Sequence, residues 1–528
     1  MNKICFFIVF TFLISCKKEP ALNSDSTKGG EPTVKTDKEG EVLEIDTMLI
    51  AAFKSKSLMD FYRSREDKTV WQSEKNRKII LETIKKCENE GLSPSDYSVL
   101  KLEKLEENFN ELDEEQQIQY DLLLSYNFEK LLKQLHRGKL NPKNLYYNWD
   151  LRIEDPDVTL ILNNALEKDS LAAVIEKCKP QAITYNKLIE ALEIINKLPE
   201  DKTQSLDTAY VMKHNHSKKG MIDVKKKLIY WKDLETNDSL TAFYDDKTFE
   251  AVKKFQTRHG LLSDGVIGKS TIKALNFTKE DRKHQIIANL ERWRWYAKSF
   301  APNYVLINIP DYSLKVVEDQ NVTMTKRIVV GKRKRRTPVL TSVLQTVVFN
   351  PTWTVPPTIL KEDIVPEMIK DRNYLKKMGI GIFDSDSNEV NPSKWDSTRP
   401  RGYRYIQKPG YNNALGVVKI NFPNRFSVYM HDTNHRDLFE RNFRSLSSGC
   451  VRIEEPLELV ELLLDNPDKY SREKMDSIID KKKTLYIKII KRYAVYQWYW
   501  TAWSENGELF FVDDIYNLDA DLYAQLRN

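Results

Sequence analysis

"HDTNHRDLFERNFRSLSSGCVRIEE", residues 431–455, is the stretch from which the 528-residue chain is best interpreted. It contains Cys450, one of five cysteines, in the small-residue segment SSGC, and His431, one of seven histidines, nineteen positions upstream. Cysteine is nucleophilic as the thiolate, so it needs a nearby base or positive charge that lowers its pKa. The stretch therefore poses two alternatives: a reactive thiol with its base, or a buried cysteine that follows a histidine by chance.

The residues around the pair predict how it is presented. Alternation over 426–431 places Tyr429 and His431 on the same face of a strand, and the following loop is long enough to return Cys450 to His431. Gly449 permits a tight turn. The N–H groups around Gly449 and Cys450 are expected to donate to a developing oxyanion. This placement permits a reactive thiol, but by itself it leaves the buried cysteine as the alternative.

The surrounding sequence predicts a mostly-β domain over 300–490. Residues 361–410 are polar and mixed, with little of the apolar density of a core, and predict an insertion large enough to act as a lid. Residues 491–528 are interpreted as a C-terminal extension. The β-rich runs are separated by Pro, Asp and Gly turns and cover 304–319, 323–331, 343–356 and 420–432.

The pattern H…SSGCVR closely resembles the motif of the L,D-transpeptidase family, in which a His precedes a [Ser/Thr]-x-G-C-[Val/Ile]-R block. RIVVGKRKRRTPVL and NPTWTVPPTI extend the resemblance over most of 300–490. The resemblance implies that Cys450 is the nucleophile and His431 the general base and acid. Ser448 stands where smaller relatives often have His, so it cannot be a second base, and His435 is expected to be a loop residue. The predicted site comprises catalytic Cys450, His431 and Gly449 and substrate-binding Tyr429, Ser447, Ser448, Arg452 and Trp353, without metal or cofactor.

A second motif lies upstream, in a compact helical unit over 221–277. "DDKTFEAVKKFQTRHGLLSDGVIGKSTIKALNF" predicts a helix ending near Gly260 and a further helix at 271–275. The stretch closely resembles the peptidoglycan-binding-1 repeat, and a helical spacer that has lost glycan binding remains the alternative. The matching residues are Thr248, Ala251, Val252, Phe255, Gln256, Gly260, Leu261, Asp264, Gly265, Gly268 and Thr271.

The N-terminal half divides into three further segments. Residues 1–15 predict a signal peptide that ends in a lipobox-like sequence, with Cys16 as the lipidated residue, and an ordinary signal peptide with a chance cysteine is the alternative. Residues 16–45 predict a flexible tether. Residues 46–205 predict a helical scaffold, because apolar side chains recur at helical spacing. That stripe comprises Leu124, Phe128, Leu131, Leu132 and Leu135.

Composition excludes several classes of protein. The 83 basic and 77 acidic residues interleave and give a net charge of +6, which argues against a nucleic-acid binder. A hydrophobic content of 41% excludes bulk disorder. Phosphate-loop and metal-binding motifs such as CxxC and HExxH do not occur in the sequence. Cys87 and Cys178 are left open as a disulfide pair or as two buried thiols.

The expected fold class is multidomain α+β: a helical scaffold, a three-helix peptidoglycan-binding bundle and a mostly-β catalytic domain with a lid insertion. The resemblance, to the large multidomain Gram-negative branch of the family, implies 3→3 crosslinking of peptidoglycan tetrapeptide stems through a Cys450 thioester, with release of D-Ala. Alternatives are L,D-carboxypeptidase activity, D-amino-acid exchange and a non-catalytic wall-anchoring lipoprotein. A papain-type protease is disfavoured because His precedes Cys. Expected partners are stem peptides, glycan, a membrane through the lipid anchor and other cell-wall synthesis proteins, in the periplasm and at the outer membrane.

Overall fold

The computed structural model of the protein describes residues 41–207, 211–235, 240–296 and 298–528. The predicted signal peptide, the predicted lipidation residue Cys16 and most of the predicted tether lie outside these ranges. In the described ranges, every helix is too short or too polar to cross a membrane.

A helical unit with its own hydrophobic core forms the N-terminal part of the described chain. Its longest helix begins at a capping box in which the Asp113 side chain accepts from the backbone of Gln116 and the Gln116 side chain accepts from that of Asp113. The predicted apolar stripe is buried in the core of this unit. The helices up to residue 197 are α1 (Thr47–Ala51), α2 (Lys56–Arg63), α3 (Glu74–Lys85), α4 (Val99–Glu107), α5 (Glu114–Arg137), α6 (Pro142–Leu145), α7 (Val158–Glu167), α8 (Leu171–Cys178) and α9 (Ile183–Lys197).

The last helix of this series does not share the core of α1–α5, α7 and α8. Leu188, Leu192 and Ile195 of α9 belong to the large central core that also contains the catalytic sheet. The segment predicted as one scaffold, 46–205, therefore contributes to two cores. Periodicity predicts which face of a helix is apolar, but it does not indicate which partner covers that face.

The two cysteines of the helical unit are buried free thiols. Burial raises the pKa of Cys87 to about 12 and that of Cys178 to about 11. Both thiols therefore stay protonated at neutral pH and pack as small apolar side chains. Of the two alternatives left open by the sequence, the structure has the buried thiols.

The unit predicted as a three-helix bundle has three helices, α10 (Met221–Tyr230), α11 (Asp246–Arg258) and α12 (Lys269–Leu275). The Gln256 amide lies at its centre, where it donates to Asp264 Oδ1 at 3.1 Å and to Thr271 Oγ1 at 3.2 Å. The same side chain accepts from the Gly265 N–H at 2.8 Å. These four motif residues satisfy one another and hold the turn between α11 and α12.

The region predicted to be catalytic is built on a large mixed sheet, which α13 (Lys279–Trp295) joins to the bundle. The sheet order is β1-β5-β15-β2-β3-β4-β13-β11-β10-β6-β14, with β12 beside β4. The strands are β1 (Trp149–Asp150), β2 (Asn303–Asn308), β3 (Ser313–Glu318), β4 (Asn321–Gly331), β5 (Val339–Val343), β6 (Thr346–Phe349), β7 (Trp353–Thr354), β8 (Ile380–Phe383), β9 (Arg404–Gln407), β10 (Val418–Asn421), β11 (Met430–His431), β12 (Ser445–Ser447), β13 (Val451–Ile453), β14 (Leu485–Lys488), β15 (Ala494–Trp498), β16 (Ala502–Glu505) and β17 (Glu508–Phe511).

The insertion predicted at 361–410 is a small folded unit. The unit begins earlier than predicted, because β7 (Trp353–Thr354) pairs with β9 in a three-stranded sheet of order β7-β9-β8. This sheet carries a separate hydrophobic core that includes Met368, Leu375 and Trp395. The expectation that this segment lacks the apolar density of a core is therefore wrong. The helices of this unit are short, so its apolar residues do not form a long periodic run that the sequence would reveal. They are α14 (Pro357–Ile359), α15 (Val365–Lys370) and α16 (Tyr374–Lys377).

The segment predicted as a C-terminal extension is integral to the catalytic sheet. Strand β15 lies between β2, to which it is parallel, and β5, to which it is antiparallel. Trp498 at its end is fully buried, so the sheet cannot form its core without these residues. The remaining helices are α17 (Pro456–Leu464), α18 (Pro467–Tyr470), α19 (Arg472–Asp480) and α20 (Asp519–Arg527).

Candidate active site

The strand that carries His431 is shorter than predicted. Instead of 426–431, only Met430–His431 are paired as β11. The preceding residues form a turn in which Asn424 Oδ1 accepts two backbone N–H groups, at 3.0 and 3.1 Å. Such a side-chain acceptor competes with the strand ladder. Tyr429 and His431 nevertheless lie together, with ring centroids 5.6 Å apart.

Strand register gathers three polar side chains on one face of the sheet. His431 pairs with Lys419 of β10 on one side and with Arg452 of β13 on the other. Since paired residues point to the same face, these three side chains lie side by side. The neighbouring positions point to the opposite face and are fully buried: Ile420, Met430 and Val451.

Side-chain hydrogen bonds brace the loop that presents Cys450. The Ser447 hydroxyl donates to the Cys450 carbonyl at 2.6 Å and accepts from the Gly449 N–H at 3.1 Å, while Thr337 donates to the Gly449 carbonyl at 3.0 Å. Gly449 has φ +115°, a conformation that disfavours any residue with a Cβ. Because its N–H is engaged by Ser447, Gly449 is not the free oxyanion donor that the sequence predicted.

Tyr429 dominates the surroundings of the Cys450 sulfur. Its backbone N–H and its hydroxyl both interact with the sulfur, and both interactions lower the pKa of the thiol. The Trp353 side chain hydrogen-bonds the Tyr429 hydroxyl in turn. The Lys419 ammonium lies 3.9 Å from the centroid of the Tyr429 ring. Cys450 itself is half-buried.

Burial nevertheless outweighs these favourable interactions. Burial raises the pKa of Cys450 above its usual value, although Tyr429, Lys419 and Arg452 each lower it. The Cys450 side chain is therefore a protonated thiol at neutral pH. Attack on a carbonyl then requires a base that takes the thiol proton as the bond forms.

His431 has the tautomer that such a base needs. Its Nδ1 is hydrogen-bonded to the Asp432 carbonyl oxygen, which can only accept, so Nδ1 carries the proton and Nε2 is left as the basic nitrogen. Burial, followed by the positive charge of Arg452, lowers the pKa of His431 to about 3. The ring is thus neutral and able to accept a proton at physiological pH.

Asp432 is held in place by contacts of its own. Its carboxylate accepts from the Val417 N–H at 3.0 Å and pairs with Arg436 at 3.3 Å. A Cβ on Gly416 would lie 2.2 Å from the Asp432 Oδ2, so only glycine permits this approach. These contacts fix the carbonyl that orients His431.

Ser448 joins the nucleophile loop to the insertion. It accepts from Arg335 Nη1 at 3.0 Å, and the same guanidinium binds Asp363 and pairs with Glu362 at 2.5 Å. The interaction with Arg335 lowers the pKa of Asp363. Ser448 is exposed and is positioned by this ion-pair cluster. The insertion is therefore linked to the residue next to Gly449 through the Arg335 guanidinium.

Three family models match the chain. Residues 302–476 match the model described as "L,D-transpeptidase catalytic domain", 217–275 match "Putative peptidoglycan binding domain" and 56–192 match "Scaffold domain". Over these residues, about a third of its length, the chain is similar to L,D-transpeptidase catalytic domains. The predicted resemblance to this family and the predicted multidomain α+β class are confirmed.

A curated relative carries a related name. "Putative L,D-transpeptidase" from Haemophilus influenzae is 37% identical over 223 residues, which are 42% of this chain and 45% of the relative. The match spans less than half of either protein. Similarity at this level supports the family of the matched region and leaves the activity of the whole chain to be proposed.

Two solved structures match about half of the chain. The L,D-transpeptidase of Xylanimonas cellulosilytica is 15% identical with a TM-score of 0.18, and that of Stackebrandtia nassauensis is 12% identical with a TM-score of 0.20. Each match covers 54% of this chain, with 97% and 94% of the respective structures. No detail of the site rests on these similarities.

The structure adds residues to the candidate active site that sequence reasoning missed. Lys419, Thr337 and Arg335 lie far from the motif in sequence and belong to different strands or loops. In the sequence, each of them is recognisable only as a polar residue inside or next to an apolar strand. His435 lies on the exposed loop after β11, as predicted. In the described part of the chain, no cluster of metal-ligating side chains is found.

Proposed function

We propose that the protein is a cysteine-dependent acyltransferase that forms 3→3 crosslinks between peptidoglycan tetrapeptide stems. The observation that supports this most strongly is the grouping of Cys450, Tyr429 and His431 at one end of adjacent strands, in a domain of the L,D-transpeptidase family. The His431 imidazole is neutral and can act as the base, and the Cys450 thiol carries the proton that this base removes.

The first half-reaction is acylation of the sulfur. The Cys450 Sγ attacks the carbonyl carbon of the third stem residue while its proton passes to His431 Nε2. The carbonyl oxygen gains negative charge, next to the cations of Lys419 and Arg452. The C–N bond to the terminal D-Ala then breaks, and His431 returns the proton to the departing amine. A thioester and free D-Ala result.

The second half-reaction transfers the acyl group. A side-chain amine of a second stem attacks the thioester carbonyl, loses its proton to His431 and forms the new amide as the C–S bond breaks. The proton on His431 restores the Cys450 thiol. Water in place of the amine gives L,D-carboxypeptidase activity, and a free D-amino acid gives exchange. The same site serves all three acceptors.

The size and position of the insertion support a large acyl donor or acceptor as the substrate. It has its own core and is tied beside Cys450 through the cluster of Arg335, Asp363 and Glu362. A folded unit in this position can cover the site as one body. A flexible loop would first have to become ordered when the substrate binds. Such a cover excludes water from the thioester, which favours transfer to an amine over hydrolysis.

Incubation of the full chain with disaccharide-tetrapeptides tests the proposed function. Mass analysis is expected to show crosslinked dimers and free D-Ala, and none with the Cys450→Ala protein as the matched control. Tripeptide products without dimers would assign the carboxypeptidase reaction. An unchanged substrate pool, with Cys450 still reactive toward a small thiol reagent, would favour the non-catalytic anchoring alternative.

We propose further that Cys16 is lipidated and tethers the protein to the periplasmic side of a membrane, where other wall-synthesis proteins are expected to work. The support is the lipobox-like sequence that precedes Cys16. Metabolic labelling with a fatty-acid analogue is expected to mark the wild-type protein and not Cys16→Ala. Label that persists in the variant would exclude this anchor.

A further inference from the structure

One row of side chains runs from the candidate active site to the edge of the sheet. Lys419, which pairs with His431 on one side, pairs on the other with Val348 of β6. Val348 pairs in turn with Tyr486 of β14, the last strand in the sheet order. Because paired residues point to the same face, Tyr486 lies on the face that carries His431, three strands away.

A second row lies two residues further along the same strands. Asn421 of β10 pairs with Thr346 of β6, and Thr346 pairs with Lys488 of β14. The Asn421 side-chain amide donates to the Thr346 hydroxyl at 3.0 Å, so both side chains lie on this face. The register of β10 and β11, continued by one pair, brings Asn421 opposite Tyr429, which interacts with the Cys450 sulfur. The second row therefore leads from the nucleophile to Lys488.

The outer end of these rows is open to solvent. Tyr486 is 69% exposed and Lys488 is exposed, whereas Ile487 points to the opposite face and packs against the large central core. Asn421 and Thr346 are half-buried. We call the four residues on the face of the site the edge strip: Asn421, Thr346, Tyr486 and Lys488.

Lys488 brings a positive charge to the edge strip. In the described part of the chain, no carboxylate forms an ion pair with its ammonium, whereas Lys491 on the same segment pairs with Glu318. Residues 481–492 contain six basic residues and no acidic one. An ammonium beside an exposed aromatic ring favours a ligand that has a carboxylate and some apolar surface.

The length of the edge strip fits a short peptide. Adjacent strands lie about 4.8 Å apart, so three strand spacings separate Tyr429 from Lys488 by about 14 Å. An extended peptide advances about 3.3–3.6 Å per residue, so three to four residues cover this distance. A peptide stem of that size therefore reaches from the nucleophile to the edge of the sheet.

The edge strip and the insertion lie on different sides of Cys450. Arg335 links the insertion to Ser448 on the β4 side, whereas the strip extends toward β14. Thr346 begins β6 and Asn421 ends β10, while the insertion follows the end of β6 and precedes the start of β10. The side with the insertion suits the acyl donor, whose thioester must be shielded from water. The strip leaves an approach for a second peptide.

We propose that the edge strip binds the acceptor stem, with a carboxylate of that stem on the Lys488 ammonium and its backbone against the Tyr486 ring. Bound in this way, the stem brings its side-chain amine to the Cys450 thioester. The identity of the peptide rests on the proposed function, whereas the preference for an acidic peptide rests on the strip alone.

Binding of a stem tripeptide to the full chain tests the proposal. The tripeptide keeps the side-chain amine and its carboxylates but lacks the terminal D-Ala, so it is an acceptor that cannot form the thioester. Calorimetry should show saturable binding, which Lys488→Gln weakens about three- to tenfold, as expected for an exposed charge-assisted contact. Lys481→Gln removes the same charge at an exposed position before β14 and is the matched control, which should bind normally.

A tripeptide with amidated carboxylates identifies the group that Lys488 binds. Amidation should weaken binding to the wild-type protein by more than it weakens binding to Lys488→Gln, because the variant has already lost the contact. Equal losses in the two proteins would show that the ammonium and the carboxylates do not interact and would overturn the assignment.

Crosslinking by the same proteins supplies the readout that a structural role would not give. With a tetrapeptide as donor, Lys488→Gln should raise the acceptor concentration for half-maximal dimer formation about three- to tenfold, without slowing thioester formation or release of D-Ala. Tyr486→Ala should act in the same direction. Slower thioester formation in these variants would assign the strip to the donor and contradict the proposal.

Two further results would overturn the proposal: no saturable binding of the tripeptide, or equal weakening by Lys488→Gln and Lys481→Gln. Failure of the proposed function has a different signature, because it appears as a wild-type protein that forms neither thioester nor dimers. Calorimetry with the tripeptide needs no turnover. Binding that depends on Lys488 in a protein without crosslinking activity would therefore keep the acidic-peptide site and reject the transpeptidase reaction.

Discussion

The two sequence motifs of this chain, one in the bundle and one around Cys450, differ in how their polar side chains are hydrogen-bonded. In the bundle, Gln256 binds Asp264, Gly265 and Thr271, so the motif is satisfied internally and serves the fold. In the candidate active site, the Cys450 sulfur interacts with the Tyr429 N–H and hydroxyl donors, which favour a thiolate, and the proton on His431 Nδ1 leaves Nε2 as the basic nitrogen. The first motif is therefore explained by the fold, and the second is consistent with the predicted reactive pair.

The largest effect is expected from Cys450→Ala. Crosslinking should be abolished because no other nucleophile lies at this position, while the half-buried site and the bracing by Ser447 and Thr337 keep the fold intact. Product analysis and thermal unfolding of the same sample measure the two consequences. Turnover by this variant at the wild-type rate would contradict the assignment of the nucleophile.

His431→Ala should lower crosslinking by about 10²–10⁴-fold, as is typical of losing a general base. The pKa of Cys450 is raised, so the variant is expected to recover partly only well into the alkaline range, where the thiol ionises unaided. Rates measured from pH 7 to 10 test this. His435→Ala, on the exposed loop, is the control, and an equal loss in both variants would break the proposed pair.

Gln256→Ala tests whether the motif of the bundle serves the fold. It removes the partner of several buried polar groups and should destabilise the bundle by about 1–3 kcal/mol. Hydrogen exchange over 245–277 and denaturant unfolding are the measurements, and alkylation of Cys450 should not change. Lys247→Ala, at an exposed position of the same helix, is the control. If Gln256→Ala impaired only glycan binding, the residue would belong to a ligand site and the contrast between the motifs would fail.

The smallest effect is expected from Tyr429→Phe. The hydroxyl lowers the pKa of Cys450, so its loss should raise that pKa further and move the alkylation-versus-pH curve to higher pH. A net contribution of about 0.5–1.5 kcal/mol corresponds to roughly two- to tenfold slower alkylation at fixed pH. Tyr486→Phe, at a 69% exposed side chain, is the control. A shift in the opposite direction would show that the hydroxyl does not stabilise the thiolate.

Local patterns predicted much of this architecture. Helical spacing found the stripe of α5, turn chemistry found the end of α11 near Gly260, and the motif found Cys450 and His431. The prediction failed where a long-range partner decides the outcome. Asn424 replaces part of a strand by a turn, α9 joins a different core from its neighbours, and the insertion assembles a core from short segments.

What the sequence determined by itself is the resemblance of residues 302–476 to the L,D-transpeptidase family and the prediction of Cys450 and His431 as the reactive pair, since both depend on residue types at fixed spacings. Only the tertiary structure decided that Lys419 and Arg452 lie on either side of His431, because strand register between distant segments sets which side chains share a face. It also decided that Cys450 rests as a thiol, since burial by the folded chain outweighs nearby positive charge and hydrogen bonds.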